Sequence, residues 1–255
     1  MPDRFRLTLA QINPTMGDLD GNASLARRAW QEGRDAGARM VALPEMFITG
    51  YNTQDLAMKP AFHQAAIAAI ERLARDCADG PALAIGGPAL EGAGLCNAYH
   101  ILQGGQVTAR VFKHHLPNET VFDEKRIFSP GAVTGPYVVD GVRIGSPVCE
   151  DSWYEDVAET LAETGAEFLL VPNGSPYYRG KMDTRRNLMV ARVVETGLPV
   201  IYLNLVGGQD DQVFDGGSFV LNPGGALALQ MPLMEESLAH LDLMRVSDGW
   251  QAVPG

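Results

Sequence analysis

The chain has 255 residues, 46% of them apolar and 20% charged, enough for a substantial buried core and inconsistent with disorder. Its 28 glycines and 16 prolines, about one residue in six, suit a fold with many short turns and argue against a helical bundle. With 31 acidic residues against 20 basic ones the net charge is −11, which disfavours nucleic acid and anionic membrane surfaces as partners.

The first apolar run, Phe5–Ile12, alternates and reads as a strand. Residues 22–36 place Leu25, Ala29, Trp30 and Gly33 on one helical face. Met40–Leu43 is a short buried strand closed by Pro44, and 60–77 is an Ala-rich amphipathic helix opened by Pro60. Strands are predicted at 82–86, 97–103 and 107–112. The second half repeats the theme, with a strand over 142–149, a helix over 155–164 ended by Gly165 and a strand over 168–172. A helix over 183–196 and a strand over 200–204 follow, and then a hairpin of 219–222 with 226–230 around Pro223, Gly224 and Gly225. The order βαβαβββ, twice, predicts a single α/β domain with largely covered sheets.

Three residues at predicted strand ends attract attention. Cys149 closes the strand 142–148, just before a helix start. It is read either as a nucleophile or as a buried structural cysteine. Glu45 follows a buried strand and Pro44, so it is either a general base among apolar walls or a loop glutamate. Lys113 ends the strand 107–112 and either faces a developing oxyanion or sits on a sheet rim. Together a carboxylate, an ammonium and a thiol supply the parts needed for acyl transfer from an amide, at the strand ends where α/β sheets place their sites. His114 and His115 are the nearest rivals for a catalytic histidine. Cys77, ending a helix, and Cys96, in a Gly-rich turn, read as structural.

Other chemistries find little support. Gly86-Gly87-Pro88 lacks the GxGxxG pattern, no GxxxxGK[ST] loop occurs, and Gly216-Gly217-Ser218 precedes a strand rather than a helix. The histidines show no metal-ligand spacing, and three cysteines without CxxC give neither a disulfide framework nor a zinc site, so no metal is expected. No apolar run approaches the roughly 20 residues of a membrane span. Asp3, Arg4 and Arg6 lead into a strand rather than a long apolar segment, so no secretory leader is expected, and the expected compartment is the cytoplasm.

The wording AQINPTMGDLDGN (10–22), LPEMFITGY (43–51), FKHHLPN (112–118), VFDEKRIFSPG (121–131), VCEDSW (148–153), AETGAEFLLVPNGSP (162–176) and NLVGGQDDQVFDGGSFVLN (204–222) resembles the nitrilase (carbon–nitrogen hydrolase) superfamily. Within it, VFDEKR, NGSP and VGGQD…FDGGSF resemble the N-terminal glutaminase domains of bacterial glutamine-dependent NAD⁺ synthetases. The resemblance implies a four-layer αββα sandwich and homo-oligomers built by packing sandwich on sandwich. It implies Glu45 as general base, Lys113 as catalytic lysine and Cys149 as nucleophile. It also implies that Ser175 and Lys181 hold the carboxylate and amino ends of L-glutamine, with Glu150 lining the same pocket.

The resemblance further implies glutamine amide hydrolysis through a cysteine thioester, with no cofactor for that step. The ammonia would serve ATP-dependent NAD⁺ synthesis from deamido-NAD. ATP and Mg would be needed only with a synthetase domain, and no SGGxDS loop of such a domain occurs before Gly255. Residues 1–255 are therefore expected to be the hydrolase domain alone. Glu119 and Thr120 stand where the family has tyrosine and glycine. A carboxylate there either pairs with the glutamine ammonium or weakens its recognition. The second alternative favours a stand-alone amidase acting on another small amide, and an inactive regulatory domain is the third reading.

Overall fold

The structure, a computed structural model, describes residues 3–92, 94–119 and 121–255. Its first half runs β1 (Arg4–Gln11), α1 (Leu19–Asp35), β2 (Met40–Ala42), α2 (Pro60–Asp76), β3 (Ala82–Glu91), β4 (Gly94–Gln103) and β5 (Gln106–Phe112). A single-turn helix α3 (Glu124–Ile127) leads to β6 (Tyr137–Val139), β7 (Val142–Gly145), α4 (Glu155–Glu163), β8 (Phe168–Asn173), α5 (Lys181–Thr196) and β9 (Val200–Asn204). Then come β10 (Val206–Gln209), β11 (Gln212–Asp215), β12 (Phe219–Leu221), β13 (Leu227–Gln230), β14 (Ser237–Val246) and β15 (Gly249–Pro254).

Two large sheets stack face to face. One has seven strands in the order β15-β14-β1-β2-β3-β4-β5, the other six in the order β13-β12-β9-β8-β7-β6, and β10-β11 forms a separate hairpin. The period-two alternation of the strands divides the core. Phe5, Leu7 and Leu9 of β1 meet Phe168 and Leu170 of β8 between the sheets. The outer face of the first sheet is covered by α1 and α2 through Ala26, Trp30, Ile70 and Leu73 against Val41, Leu83 and Ile85. The outer face of the second is covered by α4 and α5, whose Leu161, Met189 and Val193 pack on Leu169, Val171 and Tyr202. The four layers are α, β, β and α, as expected.

Several expectations are corrected. The strand predicted over 142–149 stops at Gly145, because Pro147 has no N–H for a ladder, so Cys149 opens a 3₁₀ turn, Cys149–Trp153, instead of ending a strand. Cys96 lies not in a turn but inside β4, buried and opposite Ala89. The assignments ended at Gln230, whereas β14 returns to the first sheet and pairs antiparallel with β1 over its whole length, from Arg4↔Met244 to Gln11↔Ser237. Arg6 pins that register, its Nε and Nη2 each donating to Asp242 at 2.8 Å, with Arg4 adding a bond of 2.7 Å. Among the described residues no helix is long and apolar enough to cross a membrane.

Candidate active site

Glu45 owes its place to Gly86. Pro44 ends the β2 segment, and the chain at Glu45–Met46 lies directly on β3. A Cβ on Gly86 would stand 2.1 Å from the Met46 nitrogen and 2.6 Å from the Glu45 Cα, so only glycine lets the two backbones approach. The Glu45 side chain is 0% exposed yet fully engaged. Its Oε1 accepts from Lys113 Nζ at 2.8 Å and from Asn97 Nδ2 at 2.7 Å, and its Oε2 accepts from the Gly174 N–H at 2.7 Å.

Lys113 follows β5 directly, its N–H donating to the Asn97 carbonyl at 2.9 Å and its carbonyl accepting from Gly131 at 2.9 Å. The side chain is 0% exposed and meets two carboxylates, Glu45 and Glu124, each at 2.8 Å. Burial alone would push an ammonium toward neutrality, but Glu124 and Glu45 outweigh it and hold the Lys113 pKa well above its ordinary value. The two carboxylates thus favour the ammonium form of Lys113. Glu124, fixed by a 2.7 Å bond from the Tyr51 hydroxyl, has its own pKa raised, first by burial and then, against the pull of Lys113, by Glu45.

Cys149 sits at φ 49°, in the left-handed region that a side chain rarely adopts, which stores about 1–3 kcal/mol of strain. The surrounding bonds hold it there. Ser152 Oγ donates to the Cys149 carbonyl at 2.7 Å. The Asp151 carboxylate accepts from the N–H groups of Val148 (3.1 Å), His114 (3.0 Å) and His115 (2.7 Å), so one buried side chain ties the Cys149 turn to the Lys113 segment. Burial outweighs those three donors and pushes Asp151 up to about 6. The Cys149 thiol is 4% exposed and its pKa lies well above the ordinary range, first through burial and then through the Glu45 charge, while Lys113 acts in the opposite direction. Burial and the Glu45 charge both favour the protonated thiol, so attack calls for a base.

Cys149 opens onto a cavity of about 1040 Å³, and Glu150, Ser175, Lys181 and Glu119 lie on its walls. Glu45 and Lys113 are fully buried, and the charges of both act on the thiol. Ser175 is held by its N–H to Asn204 Oδ1 (2.9 Å) and by Arg185, whose Nε donates to Ser175 Oγ at 3.1 Å and whose Nη2 donates to its carbonyl at 2.7 Å. Arg185 is itself buried against Asp215 at 2.8 Å. Lys181 lies between the rings of Trp153 (4.2 Å) and Tyr178 (4.6 Å), and burial lowers its pKa. Burial raises that of Glu150 more than Lys113 and Lys181 lower it. Glu119 is exposed on the outer wall, and Thr120 lies outside the described residues. The rivals His114 and His115 line the cavity too, but their rings turn to the Gly131 carbonyl (2.8 Å) and to Asp156 (2.9 Å).

The sequence alone gives no role to Glu124, Tyr51, Asn97 or Arg185, and for Asp151 only a charge that opposes a Cys149 thiolate. Glu124 lies inside the distinctive VFDEKR run and Tyr51 closes LPEMFITGY, so for these two the sequence itself carries a signal. Asn97 was one polar residue in a predicted strand, and its link to Glu45 exists only because β4 pairs beside β3.

The site combines a buried carboxylate–ammonium pair with a thiol on which both charges act. The carbon-nitrogen hydrolase family profile matches residues 6–249. The chain belongs to that family. A glutamine-dependent NAD(+) synthetase of Rhodobacter capsulatus is 59% identical over 254 residues, covering 100% of this chain and 46% of the relative. One from Xylella fastidiosa is 38% identical, covering 96% of this chain and 45% of the relative. The chain thus spans about half the length of the curated relatives it matches. Among solved structures, a glutamine-dependent NAD+ synthetase of Acinetobacter baumannii in complex with ADP superposes with a TM-score of 0.90 at 30% identity, over 99% of this chain and 48% of that one. An amidase from Nesterenkonia gives 0.81 at 27% identity, over 96% of this chain and 92% of its own.

Proposed function

We propose that this chain hydrolyses the side-chain amide of L-glutamine through a Cys149 thioester and supplies the ammonia to an ATP-dependent NAD⁺ synthetase module. The observation that carries the chemistry is the buried Glu45–Lys113 pair at 2.8 Å, whose charges act on a thiol with a pKa raised first by burial and then by Glu45. The choice of glutamine rests on the 59% identity to a glutamine-dependent relative.

The steps follow from the charges. As Cys149 Sγ forms its bond to the amide carbon, Glu45 takes the thiol proton. Lys113, held cationic by its two carboxylates, faces the developing oxyanion. Glu45 returns the proton to the leaving nitrogen, the C–N bond breaks, and ammonia departs from a γ-glutamyl thioester. Water then attacks the thioester carbon and gives a proton to Glu45. The C–S bond breaks, Glu45 passes that proton to the departing sulfur, glutamate leaves and the thiol is restored. Glu124 and Tyr51 keep Lys113 in place. Ser175, steadied by Arg185, and Lys181, between its two rings, receive the amino-acid end of the substrate, with Glu150 beside them. In an assembled enzyme the synthetase module would bring its own ATP and Mg.

The test is ammonia and glutamate release by purified protein. Cys149→Ala should abolish both while the thermal unfolding profile stays intact, and Lys113→Ala should lower turnover on the order of 10²–10³-fold. Ammonia release by Cys149→Ala would end this reading. Glu119 on the cavity wall, where the family has tyrosine, favours a second reading, an amidase for another small amide. Release from ω-amides or N-carbamoyl amino acids but not from glutamine would select it.

A further inference from the structure

The cavity wall next to Lys113 carries polar groups that the proposed chemistry does not use. His114 and His115 follow Lys113 directly, and Asp156 lies in the first turn of α4. Ligand atoms of all three lie within 4.8 Å of one another. His115 Nε2 is 2.9 Å from both oxygens of Asp156, and the His114 ring stands edge-on to it with centroids 4.8 Å apart. The chain positions 114, 115 and 156 form no ligand spacing, so only the fold brings the set together.

The groups around these three side chains are those that orient metal ligands. His114 Nδ1 is 2.8 Å from the Gly131 carbonyl, which can only accept, so Nδ1 donates to it and Nε2 is the ring nitrogen left to face an ion. Asp156 Oδ1 accepts from the Val157 N–H at 2.8 Å, which aims the carboxylate. The Tyr154 ring lies against His115 with centroids 4.4 Å apart, and Asp151 fixes the backbone of both histidines. We infer that His114, His115 and Asp156 form a binding site for a divalent transition metal, zinc by its ligand set of two imidazoles, one carboxylate and a water. Tetrahedral bonds of about 2.1 Å place ligand atoms about 3.4 Å apart, so modest side-chain rotations close the present set onto an ion. The ion replaces the His115–Asp156 hydrogen bond and releases its proton. His114 and His115 line the cavity onto which Cys149 opens, whereas Asp156 is exposed outside that lining, so an ion held by the three sits at the cavity edge, hinders substrate entry and inhibits hydrolysis. The inhibitory effect rests on the amide-hydrolysis reading, whereas metal binding does not.

Binding is measured on the Cys149→Ala chain, which removes the one cysteine on the cavity; Cys77 and Cys96 are buried. Zn²⁺ titrated against a chromophoric chelator should show one equivalent bound. Co²⁺ should give the visible d–d bands of a tetrahedral nitrogen–oxygen site without thiolate charge transfer. Adding Asp156→Asn or His115→Ala should weaken Zn²⁺ binding by at least about tenfold, with the thermal midpoint of Asp156→Asn unchanged, since that side chain is exposed. No zinc uptake, or equal affinity in Asp156→Asn, overturns the site. In the Cys149-bearing chain, Asp156→Asn should hydrolyse glutamine normally in chelator and lose its sensitivity to added Zn²⁺. Zinc bound at the site without effect on turnover would overturn the inhibitory role alone. Absence of turnover even in chelator would instead count against the amide-hydrolysis reading.

Discussion

Replacing Glu45 by glutamine should move two properties of Cys149 in opposite directions. The glutamine oxygen can still accept from Lys113 and Asn97, but its amide group then points at the Gly174 N–H, which now sits 2.7 Å from an acceptor oxygen. One unsatisfied buried donor costs about 1–3 kcal/mol. Lys113 keeps its 2.8 Å contact with Glu124, so the change avoids the roughly 3–5 kcal/mol of a fully unpaired buried ion, and the protein should remain folded. Loss of the base should lower glutamine turnover by about 10²–10⁴-fold. The thiol responds with the other sign. After burial, the Glu45 charge is the largest influence raising its pKa, and Lys113 opposes it. With Glu45 neutral, the thiolate forms at lower pH and alkylation by iodoacetamide at a fixed, mildly alkaline pH should accelerate. The assays are ammonia release, thermal unfolding and the pH dependence of alkylation. Unimpaired turnover, or a thiol that reacts more slowly in the folded variant, would refute the assignment of Glu45 as the base beside Cys149.

Gly86→Ala should displace Glu45–Met46, because the added Cβ would stand 2.1 Å from the Met46 nitrogen, and should reduce turnover with little change in overall secondary structure by circular dichroism. Arg185→Met strips the partner from buried Asp215 and frees the Ser175 segment; thermal or urea unfolding should show a loss of about 3–5 kcal/mol. Lys181→Met should raise KM for glutamine more than it lowers kcat, as read from initial rates, if the side chain holds the substrate rather than the transition state. Asp242 is held down at about 2, first by the hydrogen bond from Arg6 and, against some burial, by that from Arg4, so it stabilises the fold above the ordinary carboxylate range and loses that effect as pH falls through about 2. Asp242→Asn should therefore cost about 1–2 kcal/mol near neutral pH in urea titrations, with the difference from the parent shrinking below pH ~4.

The layered fold was legible because each covered strand is a short β-rich run and each helix has one apolar face. Leu169 and Val171 alternate with Phe168 and Leu170, which divides them between two cores and forces a second layer on each side. What the pattern could not give was pairing between distant segments. SLAHLDLMRV, at 237–246, alternates well enough for a strand, but nothing in it names β1 as its neighbour. The same limit applied at the site. Glu45, Lys113 and Cys149 are suggested by their positions at predicted strand ends and by resemblance. Asn97, Asp151 and Arg185 act through bonds to partners 52, 37 and 10 residues away, which only the folded chain brings within reach.

The pairing of β1 with β14 also sets the timing of folding. Phe5 pairs with Leu243, far along the sequence, so β1 gains its second neighbour only after almost every residue between them has been synthesised. Contacts of such wide separation close late and slowly. Until then β1 presents an unpaired edge during synthesis, one that a second nascent chain or a chaperone can reach first.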